Sequence, residues 1–254
     1  ILGGVRGANF LARILQTVTT IGGIQSMRNH GLKVLGLALL SALGMMAFTA
    51  AGAQAQLPGE STAGTFLVNL GTPSSNAVTG EQNGAGYLLV AARDLKIECQ
   101  SGTLNNAKIN NSTDGQAEVT FEECVANNHK GEVLEGCEFK TLKTITASAL
   151  ALPILHGGEE FVLFEPLSGT QFANVTFKAA QGCILPLNNP VTGSVVAEVV
   201  GEELEANVQT LAFSEAIQLL SGDVLKYGAL SNTSYVNGTA DVSVTGVNTK
   251  LGVH

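Results

Sequence analysis

Asp114-Gly115-Gln116-Ala117-Glu118-Val119-Thr120-Phe121-Glu122-Glu123-Cys124 is the stretch whose pattern decides the fold. Asp-Gly is a tight-turn dipeptide. After it, Ala117, Val119 and Phe121 alternate with Gln116, Glu118, Thr120 and Glu122. Successive side chains of a strand point to opposite faces, so this period of two predicts a half-buried strand. Cys124 falls on the polar side of the alternation, and a bulge or strand end is expected to turn it inward.

The same period recurs on both sides. Leu95, Ile97 and Cys99 share one face of Asp94–Cys99, and Ala240, Val242 and Val244 share one face of Thr239–Thr245. Further strand candidates are Thr65–Leu70, Tyr87–Ala92, Phe139–Ala147, Glu160–Glu165, Phe172–Phe177, Val191–Val200 and Val208–Phe213. Turn signals separate them at Gly157-Gly158, Asn188-Asn189-Pro190 and Asn237-Gly238. Only Ser214–Leu220 reads as a short helix. Ala117–Phe121 and Ala173–Phe177 share the pattern A-x-V-T-F, which predicts two strands that pack alike.

Closely spaced antiparallel strands predict one all-β domain over 56–254. The expected architecture is a two-sheet, jelly-roll-like β-sandwich stapled by disulfides. A β-solenoid is the alternative, but no sustained short repeat is present.

Upstream, Arg28 and Lys33 precede the uncharged apolar run Val34–Ala50, and Ala53-Gln54-Ala55 follows. This is the pattern of a helical signal peptide over 27–55, cut after Ala55. Residues 1–26 are expected to be an upstream extension outside the fold. If they are translated, Val34–Ala50 becomes a candidate membrane anchor at the short end of a spanning length.

Cys99, Cys124, Cys137 and Cys183 make an even set, which in an exported chain predicts disulfides. Three pairings are open, and Cys99–Cys124 with Cys137–Cys183 is the one the strand layout favours. No C-x-x-C pair or neighbouring His supports a zinc site.

Charge narrows the partners. Four of the 13 basic residues (Arg6, Arg13, Arg28, Lys33) precede Gln56 and no acid does, leaving nine bases against 21 acids, a net −12. Nucleic acid and anionic lipid both select a basic footprint, so neither is an expected partner, and no membrane contact is expected of the mature form. Envelope or glycan contact is the expected kind of interaction.

No catalytic residue, cofactor site or metal site is assigned. His156-Gly157-Gly158 is expected to be a hairpin turn, since no G-x-S-x-G accompanies it. His129 reads as a loop histidine. Glu122-Glu123, Glu159-Glu160 and Glu202-Glu203 are adjacent pairs, which a strand would point to opposite faces. Asn110–Gly115 fails the calcium-loop pattern, because the bidentate acid position falls on Phe121. Trp is absent, so sugar-stacking platforms are scarce. Tyr227 and Tyr235 flank Ser231–Ser234 and are expected to be strand-end residues with buried rings and wet hydroxyls, or to line a shallow site.

One resemblance is visible. Gly84-Ala85-Gly86-Tyr87, Ile97-Glu98-Cys99 and Val119-Thr120-Phe121-Glu122-Glu123-Cys124 resemble the G-x-G…I-x-C…V-T-F-x-x-C pattern of a family of secreted proteins in Gram-positive bacteria. The likeness continues through Val162–Pro166, Gly169–Ala173 and Val191–Val199. It implies an exported β-rich protein and attaches no activity to any residue. The expected function is a structural or interaction role at the cell envelope. A weak carbohydrate-binding module is the alternative, and a hydrolase the third reading.

Overall fold

The computed structural model describes residues 61–179, 182–201, 205–246 and 248–254. The upstream extension, the signal peptide and the cut after Ala55 lie outside the described residues. The described chain is all-β apart from one short α-helix and a 3-10 turn.

The strands are β1 (Ser61–Ala63), β2 (Phe66–Val68), β3 (Asn76–Val90), β4 (Leu95–Cys99), β5 (Ser101–Ile109), β6 (Gly115–Glu122), β7 (Val125–Asn127) and β8 (Ile145–His156). There follow β9 (Glu159–Pro166), β10 (Gln171–Thr176), β11 (Asn188–Gly193), β12 (Val195–Val200), β13 (Glu205–Ala206) and β14 (Gln209–Phe213). Helix α1 (Glu215–Ser221) precedes β15 (Leu225–Tyr227), β16 (Asn232–Val244) and β17 (Leu251–Val253).

Several consecutive strands continue one another. β4 and β5 both pair with β3, β7 pairs with β4, and β6 pairs with β5. β9 and β10 both pair with β8. β10 pairs with β11 and β9 with β12, while β11 pairs with β15 and β12 with β14. β14 and β15 both pair with β16. The strands therefore occupy eight positions in chain order: β3, β4/β5, β6/β7, β8, β9/β10, β11/β12, β14/β15 and β16. β6 bonds to β8, and β16 bonds back to β3 from Tyr235↔Leu89 to Val244↔Val78. Every pairing is antiparallel. This is a closed up-and-down barrel.

The all-β class and the antiparallel strands agree with the sequence reading. The two-sheet sandwich does not: the ring of pairings replaces it. Alternation and strand spacing are the same in either architecture. The contact that separates them is β3 on β16, which joins distant parts of the chain and leaves no mark on local pattern.

On β3, β6 and β16 strand parity sends apolar or small residues inward and polar ones outward, whereas on β9 and β12 the outward Leu163 and Val196 are apolar and buried. Thr79, Glu81, Glu118, Thr120, Asp241 and Ser243 lie on the outer wall. There Thr79 bonds Ser243 at 3.1 Å and Thr210 donates to Asp241 at 2.7 Å. No helix of the described residues is long and apolar enough to cross a membrane.

Two packed clusters fill the barrel ends. At one, Phe66, Ile109, Val162, Val244, Leu251 and Val253 pack beneath the small sheet β13–β17–β2. At the other, Val90, Leu95, Ile97, Phe139, Phe177 and Tyr227 pack around the bridge Cys99–Cys124. Cys124 is fully buried, and the turn predicted for it is present: Glu123 adopts φ 52° between β6 and β7. Cys137–Cys183 ties the loop after β7 to the loop after β10. Both bridges are the pairing the strand layout favoured. They indicate an oxidising compartment.

Candidate functional site: an apolar chamber inside the barrel

Between the two end clusters the barrel is hollow. The chamber has a volume of about 300 Å³. Its origin is residue size. Gly80, Gly86, Gly102, Ala117, Ala147, Ala151, Gly238 and Ala240 line it, at positions where a barrel this small would otherwise be filled by branched side chains. Leu104, Val119, Phe121 and Val236 complete the wall. Phe164 and Phe213 also line it, with ring centroids 5.8 Å apart, and both pack against the two end clusters.

The glycines also set how closely strands approach. A Cβ on Gly80 would lie 2.8 Å from the Asp241 carbonyl oxygen and 2.7 Å from Leu104 Cδ1. Real Cβ atoms do not come so near, so β3 and β16 can pair this closely only with glycine there.

A space of this size is not a packing remnant. Protein interiors hold few voids larger than a water molecule. At the cost per volume measured for core cavities, ~300 Å³ left empty destabilises by roughly 7 kcal/mol. That is comparable with the whole net stability of a typical domain, about 5–15 kcal/mol.

The wall carries no inward ionisable side chain. Glu81, Tyr87 and Lys108 contribute to it from outward-facing positions. Two inward side chains are polar. Gln82 donates from Nε2 to the Gly84 carbonyl at 2.6 Å and the Cys99 carbonyl at 3.0 Å. Gln209 donates from Nε2 to the Leu251 carbonyl at 3.0 Å.

The titratable groups with displaced pKa values lie elsewhere. Burial pushes the Asp223 carboxyl up, although Ser194 Oγ donates to it at 2.6 Å. Burial also raises Glu160 and Glu198. Bonding to the His129 backbone and ring lowers Asp94, and the Lys96 ammonium lowers Glu98. These groups do not converge on one site.

Comparison with family models, with curated proteins and with solved structures returned no match. The likeness to secreted Gram-positive proteins therefore rests on its short motifs alone.

The residues singled out from sequence are scattered. His156 ends β8 at the expected hairpin, where Gly157 and Gly158 have φ 62° and 87°. His129 lies in its loop and bonds Asp94. Asn110–Asp114 is a hairpin turn closed by the Asn110 N–H to the Asp114 carbonyl at 2.9 Å. Glu202 and Glu203 lie outside the described residues. Tyr227 and Tyr235 do not line one site, since Tyr227 points into the barrel and Tyr235 outward. The expected wet hydroxyl of Tyr227 is a correction: the residue is 1% exposed, and its hydroxyl has no partner among the described residues. Burial holds that phenol well above its usual pKa.

Gly80, Gly102 and Gln82 were not singled out from sequence. The signal that could have found them is the run of small residues at inward parity, Ala147, Ala149 and Ala151, in a strand too regular to be a loop.

Proposed function

We propose that this is an exported binding protein that holds a small apolar molecule inside its barrel. The observation that carries the proposal is the hollow, apolar interior lined by residues of both packed clusters. Eight-stranded up-and-down barrels are wide enough for one small ligand when their interior is not filled by side chains. The two disulfides and the reading of 27–55 as a signal peptide support export. The acidic balance after Gln56 keeps such a protein soluble. The proposal gives the expected interaction role a specific content. Glycan binding is less well supported, because a sugar needs many convergent polar partners and the chamber offers few. The likeness to secreted Gram-positive proteins is consistent with it and stays a proposal too.

The test is titration of the oxidised protein with 1-aminonaphthalene, a ten-carbon fluorophore whose emission shifts to the blue in apolar surroundings. Wild type should bind with a blue-shifted, saturable signal. Ala117→Phe should fill the chamber and weaken binding at least tenfold, with the melting temperature unchanged or raised. Equal binding by both proteins would place the probe elsewhere and contradict the proposal.

A further inference from the structure

The chamber's polar inventory is one-sided. Gln82 lies inward on β3, opposite Ala240 of β16. Its amide orientation is fixed, because Nε2 faces two carbonyls, those of Gly84 and Cys99. Oε1 is thereby left facing Gly86 and Gly102. A Cβ on Gly86 would lie 3.2 Å from that oxygen, and one on Gly102 would lie 3.1 Å from it. The two glycines keep its surroundings open. Among the described residues no donor bonds to it. Gln209, the other inward amide, also spends its Nε2 on a backbone carbonyl.

Neither amide therefore offers the chamber an N–H, and Gln82 offers it a carbonyl oxygen. Such a wall accepts hydrogen bonds and gives none. An ionised carboxylate only accepts and carries charge, so it has no partner here, and burying it unpaired is strongly unfavourable. A hydroxyl can donate.

Resting on the binding role proposed above, we infer that the ligand is a neutral, largely hydrocarbon molecule with one hydroxyl, which donates to Gln82 Oε1. An apolar cavity of 150 Å³ accepts benzene, so this chamber accommodates on the order of ten to twelve carbon atoms. An alcohol of that size fits. A fatty acid of the same length is excluded by its headgroup.

The experiment is displacement of bound 1-aminonaphthalene, a ten-carbon fluorophore, by three ligands: 1-decanol, its isomer methyl nonyl ether, and decanoate at neutral pH. On wild type, decanol should bind about two- to tenfold tighter than the ether, the worth of one neutral hydrogen bond. Decanoate should be weakest. In Gln82→Met the advantage of decanol over the ether should vanish, with ether binding retained. An ether as tight as decanol on wild type would overturn the inference while leaving the apolar chamber intact. Failure of the probe itself to bind would overturn both. The wild-type comparison decides the matter even if Gln82→Met does not fold.

Discussion

The side chain of Gln218 stands in for a strand against Val236. Its Nε2 donates to the Val236 carbonyl at 2.6 Å, and its Oε1 accepts from the Val236 N–H at 3.0 Å. Val236 sits where β16 leaves β15, paired at Ser234, and joins β14, paired from Gly238. No strand faces it there because the chain between β14 and β15 turns into α1. Ser214 caps that helix by accepting from the Ile217 N–H, and Gly222 ends it at φ 75°. The fully buried Gln218 amide closes the gap in the barrel wall.

Gln218→Leu should therefore cost more than an ordinary buried substitution. It leaves both backbone groups of Val236 without their partner. Each buried unsatisfied group costs about 1–3 kcal/mol. A loss of about 2–4 kcal/mol lowers the melting temperature by roughly 5–15 °C in a domain of this size. A thermal melt within a degree or two of wild type would show that water replaces the amide freely.

The bridge Cys99–Cys124 joins facing residues on neighbouring strands, one step beyond the pair Glu98↔Val125. Its chain separation of 25 gives about 3–4 kcal/mol by chain-entropy arithmetic. The double variant Cys99→Ala/Cys124→Ala should melt roughly 6–16 °C lower. Alkylation of the unreduced wild-type protein, read by mass spectrometry, should label none of the four cysteines.

Asp223 makes stability depend on pH in an uncommon direction. It is fully buried: Ser194 Oγ donates to Oδ1, Oδ2 has no hydrogen-bond partner among the described residues, the Asp223 backbone N–H donates to Ser221 Oγ, and Glu165 is a like charge nearby. Its folded pKa lies above the ordinary 3.8, so the folded state holds the proton more tightly than the unfolded one. Stability from this group is present below the unfolded pKa and is lost as pH rises through the folded value. Asp223→Asn removes the charge and keeps an oxygen for Ser194. It should raise the melting temperature at pH 7–8, and the gain should shrink as pH falls towards 4. A variant less stable than wild type across that range would show that the carboxylate's hydrogen bonds outweigh its burial.

How far the sequence was legible depended on side-chain size. Where inward residues are apolar and their neighbours polar the pattern is plain: Leu95, Ile97 and Cys99 of β4, Ala117, Val119 and Phe121 of β6, and Ala240, Val242 and Val244 of β16 share the inward face. The two A-x-V-T-F segments do pack alike, each presenting Ala, Val and Phe inward. The helix read over Ser214–Leu220 is α1. The first half of β3 and all of β5 were not foreseen. Their inward residues include Gly80, Gln82, Gly102 and Ala107, so alternation carries almost no hydrophobic contrast. The glycines that hollow the barrel at Gly80 and Gly102 are the residues that hide these strands. Phe139–Ala147 was read as one strand, but β8 begins at Ile145. Phe139 bridges only to Phe177, covering the gap between β7 and β10 at the barrel end.

An apolar molecule in the space between the end clusters lies within reach of the methyl groups that line it. The most direct measurement is intermolecular NOE spectroscopy with toluene on methyl-labelled, oxidised protein. Contacts are expected from toluene to the inward methyl groups of Leu104, Val119 and Val236. Contacts to the outward-parity residues Leu150, Leu163 and Val196 instead, or none at all at saturating toluene, would contradict that occupancy.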